Sequence, residues 1–138
     1  MKFPLILQFD KDYSALSCIQ MLSKLFGKAI SLQSLKEKTD WIADNSLADI
    51  DKDLEICNFK SNKTHIKYEF IKEQNILPCI IQWKQSRFVV LYKIKKSKYY
   101  IADPARGYVI YSQEEFIEGW QTGDEKDIAC IVNQPWIF

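Results

Sequence analysis

Arg87-Phe88-Val89-Val90-Leu91-Tyr92 and Tyr100-Ile101-Ala102-Asp103-Pro104 are the stretches that decide the fold of this 138-residue chain. Both are short, apolar and rich in β-branched and aromatic residues, the composition of strands. Between them, Lys93-Ile94-Lys95-Lys96-Ser97-Lys98 is the one basic cluster and reads as a solvated hairpin turn. Further out, Cys79-Ile80-Ile81-Gln82-Trp83 precedes the pair and Tyr108-Val109-Ile110-Tyr111 follows it, both with the same character. Asp103-Pro104-Ala105-Arg106-Gly107 is a turn, because Pro104 fixes φ and Gly107 accepts unusual angles. Ile128-Ala129-Cys130-Ile131-Val132 is apolar enough to be a last, central strand.

The first half reads helical. From Ser14 to Phe26, Leu16, Ile19, Leu22 and Phe26 recur at helical spacing, with Cys18 and Leu25 beside them. Gly27 is placed to end that helix in the left-handed conformation. Ser31 caps a second helix containing Leu32, Leu35 and Lys38, and Ser46 caps a third with Leu47, Ile50 and Leu54 on one face. Ser112-Gln113-Glu114-Glu115 is a capping box that opens a short helix through Trp120. Helices first and then a meander of strands predict an α+β fold with an antiparallel sheet.

The length is that of a single domain over 1–138, enough to bury about two-thirds of the unfolded surface. With 47% hydrophobic and 27% charged residues the chain is globular, and a net charge of +1 argues against a nucleic-acid partner. Nothing approaches a membrane span. The start Phe3-Pro4-Leu5-Ile6-Leu7 is too short for a signal peptide and Gln8 and Asp10 follow at once, so a cytosolic location is expected. Cys18, Cys57, Cys79 and Cys130 are scattered among apolar neighbours without a CxxC pair, and one histidine, His65, completes no zinc set. Buried, reduced thiols and no metal or cofactor are the expectation. Trp41, Trp83, Trp120, Trp136 and seven tyrosines are read as core and sheet packing, with a minority left to line a peptide groove.

Gln8, five residues, Ser14 and then Cys18 form one motif; Arg87-Phe88-Val89-Val90-Leu91-Tyr92 is a second; Ala102-Asp103-Pro104-Ala105, its aspartate sixteen residues after Arg87, is a third. In this spacing the chain resembles the peptidase domain at the N-terminus of bacteriocin-exporting ABC transporters, cysteine peptidase family 39. The similarity runs along the whole chain, tightest from Leu77 to Trp120 and loosest from Asp40 to Phe70, and takes in the closing Asn133-Gln134-Pro135-Trp136. It implies a papain-like fold, with N-terminal helices packed on a C-terminal antiparallel sheet. It implies removal of double-glycine leaders by a cysteine nucleophile, a histidine base, an orienting aspartate and a glutamine that donates to the oxyanion. It also implies a place at the cytoplasmic face of the membrane, joined to transmembrane and nucleotide-binding domains.

The departures from that pattern fall on the chemistry. Ser14 stands where the family has its nucleophile, with Tyr13 and Ala15 in place of the flanking aspartate and glycine. Arg87 stands at the histidine, while Gln8 and Asp103 remain. A serine hydroxyl needs a base to take its proton, and a guanidinium stays protonated. Loss of the base costs about 10²–10⁴-fold. The resemblance implies that His65 falls on a polar strand away from both motifs, and Cys18 lies one helical turn into the core. For Arg87 two arrangements are open: a bidentate ion pair with Asp103, or a cation in water while Asp103 caps its own turn. The expected function is a catalytically inactive domain that binds or positions an export substrate peptide, or its leader, without cutting it. A residual peptidase using Ser14 or Cys18, and a structural domain for transporter assembly, are the alternatives. The apolar ending Pro135-Trp136-Ile137-Phe138 reads as a continuation into a longer protein.

Overall fold

The computed structural model describes residues 2–39, 46–72, 76–121 and 126–135, with side chains at all of these except Lys11 and 133–135. Trp41, Trp136 and the apolar ending from 136 onward lie outside the described residues. Among the described residues, four α-helices, α1 (Ser14–Leu25), α2 (Leu32–Lys38), α3 (Leu47–Ile56) and α4 (Gln113–Trp120), combine with six strands. The strands are β1 (Phe59–His65), β2 (Cys79–Trp83), β3 (Arg87–Lys95), β4 (Lys98–Asp103), β5 (Gly107–Tyr111) and β6 (Ile128–Pro135). They form one antiparallel sheet in the order β1-β6-β2-β3-β4-β5, so β6 is interior as its apolar run demands.

The sheet is covered on both faces. Ile80, Phe88, Val90, Ala102 and Cys130 point into a core shared with Leu16, Ile19 and Leu22 of α1, Leu35 of α2 and Ile50 of α3. Their neighbours Cys79, Ile81, Val89, Leu91, Ile101 and Ala129 point the other way, against Phe116 and Trp120 of α4. This is why Cys79-Ile80-Ile81 of β2 and Phe88-Val89-Val90-Leu91 of β3 read as unbroken apolar runs: alternate residues go to opposite faces, and both faces are dry. Gly119 on α4 lets the Trp83 ring lie against the helix; a Cβ there would come within 2.2 Å of it.

Helix boundaries follow the caps. Gly27, at φ +78, closes α1, with Lys28 N–H donating to Ser23 O and Gly27 N–H to Lys24 O. Ser31 accepts from Ser34 N–H, and Ser46 and Ser112 each form a reciprocal capping box, with Asp49 and Glu115.

Two expectations need correction. Residues 93–98 are not a turn as a whole: β3 runs on to Lys95, and only Lys96 and Ser97, both at positive φ, make the reversal. A two-residue connection with both residues left-handed matches the strand twist, so the lysines beside it can stay in the ladder. The helical reading of the first half also stops short, since β1 occupies Phe59–His65, where the family resemblance places a polar strand at His65. It is an edge strand on which Phe59 alone is buried, and its backbone bonds to β6 hold what its side chains do not signal.

Candidate functional site

All four residues singled out in the sequence meet at one end of β3 and β4, against the start of α1. The Ser14 hydroxyl accepts from Phe88 N–H at 3.1 Å, which pins the first residue of α1 to the residue after Arg87. Arg87 Nη1 donates to Asp103 Oδ1 across adjacent strands. Gln8 N–H donates to Pro104 O at 2.9 Å, which places the Gln8 backbone beside Asp103. Ser14 and Asp103 are buried, while the Arg87 side chain keeps 16% of its surface exposed.

The Arg87–Asp103 pair departs from the bidentate expectation. Asp103 Oδ1 takes both the guanidinium and the Ala105 N–H, the latter at 2.9 Å. The ion pair and the turn cap, which the sequence left as alternatives, therefore occur together on one oxygen. Asp103 Oδ2 is buried without a hydrogen-bond partner among the described residues, and so is Gln8 Oε1. An aspartate that both caps its turn and meets a strand-end arginine points a single oxygen at each, so the fork geometry of a two-oxygen pair is not reached.

Among the described residues, the one hydrogen bond of the Ser14 side chain is the one it accepts. That hydroxyl accepts from the Phe88 N–H, and Arg87, one residue before Phe88, is a cation already held by a carboxylate. Cys18 is fully buried; burial pushes its thiol well up, the Asp103 charge adds to the push, and the Arg87 charge opposes it. Burial of this kind disfavours the thiolate, which is the nucleophilic form. His65 is exposed at the end of β1, with β6 and β2 between that strand and β3. Three strand spacings are about 14 Å, beyond reach of Ser14. No group of three or more metal-ligating side chains occurs among the described residues.

Sequence reasoning missed a second feature on the same strand. At the Tyr92 end of β3 a cavity of about 470 Å³ is lined by Phe3, Leu25, Pro78, Tyr92 and Tyr100, with Lys2 and Lys93. Phe3 and Tyr92 stack at 4.7 Å, and Tyr100 and Tyr108 meet Tyr92 edge-on, each at 6.3 Å. The ammonium groups of Lys2 and Lys93 lie 4.4 and 5.0 Å from the Tyr108 and Tyr100 ring centres. Burial raises the Tyr92 hydroxyl pKa, and the neighbouring Tyr108 and Tyr100 raise it further. Strand alternation puts Tyr92 on the face of Phe88 and Val90, but it does not reveal which rings from other parts of the chain gather there.

Comparison with known proteins identifies the family and the fold. The chain is 32% identical over 115 residues to the colicin V secretion/processing ATP-binding protein CvaB of Escherichia coli, covering 83% of this chain and 16% of that protein. It is 32% identical over 122 residues to the lactococcin-G-processing and transport ATP-binding protein LagD of Lactococcus lactis, covering 84% and 17%. The chain thus spans about a sixth of the length of the curated relatives it matches. Among solved structures, a double glycine motif protease from an AMS/PCAT transporter, in complex with the leader peptide, superposes with a TM-score of 0.85 at 26% identity, covering 98% of this chain and 93% of that one. The peptidase domain of Streptococcus ComA shares the fold, with a TM-score of 0.82 at 18% identity over 96% and 99% of the two chains. With its residues 2–123 matched by the family model, this chain belongs to the Peptidase C39 family.

Proposed function

We propose that this chain is the non-cleaving, peptidase-like domain of a peptide-exporting ABC transporter, and that it holds an export substrate, or its leader, without cutting it. One observation carries the reading: the Ser14 hydroxyl is bonded to Phe88 N–H, and the residue that stands at the base position, Arg87, is a cation tied to Asp103. In this reading Ser14 and Arg87 replace nucleophile and base, while Gln8 and Asp103 are what remains of the frame. Without the base about 10²–10⁴ in rate is lost, and what binding and an oxyanion donor retain is about 10³–10⁴ over water, too little for useful proteolysis.

Peptide binding is supported separately. The aromatic cavity at Tyr92 lies five residues along β3 from Arg87, about 17 Å at strand rise. An extended or helical segment of a peptide spans that distance, placing its end at the old catalytic position and its apolar anchors among the rings. The relatives are named for secretion, processing and transport, and one structural neighbour was solved with a leader peptide. Transmembrane and nucleotide-binding domains of the same transporter, and a cytoplasmic position beside the membrane, belong to the same proposal. None of the described helices is long and apolar enough to cross a membrane.

The test is incubation with double-glycine precursor peptides, followed by mass spectrometry. Intact peptide is expected, together with saturable binding in calorimetric titration. Specific cleavage that disappears in Ser14→Ala would overturn the non-cleaving reading and return the chain to its relatives' processing role. Absence of both cleavage and binding would leave an assembly role instead.

A further inference from the structure

A second cavity, of about 240 Å³, lies where the ends of α1 and α2 meet the connection from α3 to β1. Ser23, Lys28, Lys38, Cys57 and Asn58 are among its walls, and no acidic residue is among the described ones lining it. Ser23 is 1% exposed, and its hydroxyl has no hydrogen-bond partner among the described residues. A helical serine ordinarily returns that hydroxyl to the carbonyl one turn back; this one does not, so a buried donor stands unused at the cavity. Two lysines bring positive charge to the same space. The Lys38 charge is felt inside it: burial pushes the Cys57 thiol up, Lys38 pulls it back, and Asp53 adds a smaller upward push.

We propose that this cavity binds a phosphate-class oxyanion, with the Ser23 hydroxyl donating to it and Lys28 and Lys38 supplying the countercharge. An unpartnered hydroxyl gains most from a charged acceptor, and lysine ammonium groups are the point-charge partners that phosphate takes. The volume holds a phosphate group with room for an attached small substituent. Ser23 is nine residues along α1 from Ser14, about 14 Å by helical rise, so the site stands apart from the peptidase frame. An anion there would clamp the ends of α1 and α2 to the start of β1.

Cys57 makes the site readable. It is 8% exposed, whereas Cys18, Cys79 and Cys130 are at 0%, so native-state thiol labelling reports on this cavity. The 138-residue chain is labelled, and melted in a thermal scan, across titrations of inorganic phosphate and of glycerol phosphate, with chloride holding ionic strength constant. Saturable slowing of Cys57 labelling with a rise in melting temperature is expected. Response to inorganic phosphate identifies the free ion as a ligand, and response to glycerol phosphate alone identifies a lipid-type headgroup; either supports the site. Lys38→Gln, at an exposed position, and Ser23→Ala, which removes an orphaned hydroxyl without loss of packing, should each weaken the response about tenfold. No saturable protection by either anion, or protection unchanged in Lys38→Gln, overturns the proposal.

Discussion

The two ends of β3 solve opposite problems. At the Arg87 end, buried polar groups crowd together and are incompletely paired: one oxygen of Asp103 serves two donors while the other, like Gln8 Oε1, has none among the described residues. At the Tyr92 end, rings stack on rings and two lysines cover ring faces, around an open cavity. Acyl transfer needs one proton on one atom at the right moment, so replacing a single base ends it. Holding a peptide needs apolar area and a few anchors, which survive many substitutions. A protein of this family could therefore lose the first function and keep the second, and the proposed non-cleaving role rests on that asymmetry along β3.

The largest effect that would break this comparison is on stability at the polar end. Arg87→Ala leaves the Asp103 carboxylate buried without its countercharge, and should cost about 3–5 kcal/mol in urea unfolding. Replacing both Arg87 and Asp103 by leucine removes the pair together and should recover most of that loss. A single variant as stable as the parent would mean that the ion pair does not hold the strand ends. Next comes binding at the aromatic end. Tyr92→Ala removes the ring that Phe3, Tyr100 and Tyr108 all touch, and should weaken an export peptide by about 2 kcal/mol or more, roughly 30-fold, in calorimetric titration. If Tyr92→Ala left affinity unchanged, the groove would have to be sought elsewhere and the contrast between the ends would fail.

What could be foreseen divides along the same line. Strands β2 to β5 and the capped helices follow from periodicity and cap residues, which are local, whereas the meeting of Arg87 with Asp103 is one of two arrangements the sequence leaves open and rests on the family resemblance. The sharing of Asp103 Oδ1 was not foreseeable, because it depends on the turn at Ala105 and the strand-end cation competing for one atom. Periodicity did not show β1, because an edge strand with Phe59 as its one buried side chain carries no apolar alternation; only the family pattern pointed to a polar strand at His65. The Tyr92 cluster was hidden by a contribution from Phe3, 89 positions away in sequence, whose carbonyl accepts from the Tyr108 hydroxyl.

The smallest effect serves as the control, since it asks whether burial or polarity makes the Arg87 end costly. The α4 capping box is as polar as that end but exposed, and its groups are reciprocally paired: Glu115 accepts from Ser112 N–H at 2.8 Å and Ser112 accepts from Glu115 N–H at 3.2 Å. The bond from the Ser112 backbone, and then its hydroxyl, hold the Glu115 carboxyl below its ordinary value of 4.5, against a slight opposing effect of burial. A carboxylate with a depressed folded value contributes stability that is present above the ordinary value and lost as pH falls through the folded one. Parent and Glu115→Gln should therefore differ slightly in melting temperature near neutral pH and converge as the pH drops below the ordinary glutamate range. If that exposed substitution cost as much as Arg87→Ala, polarity alone would account for the cost at the Arg87 end of β3. A small, pH-dependent difference assigns the cost to burying unpaired charge.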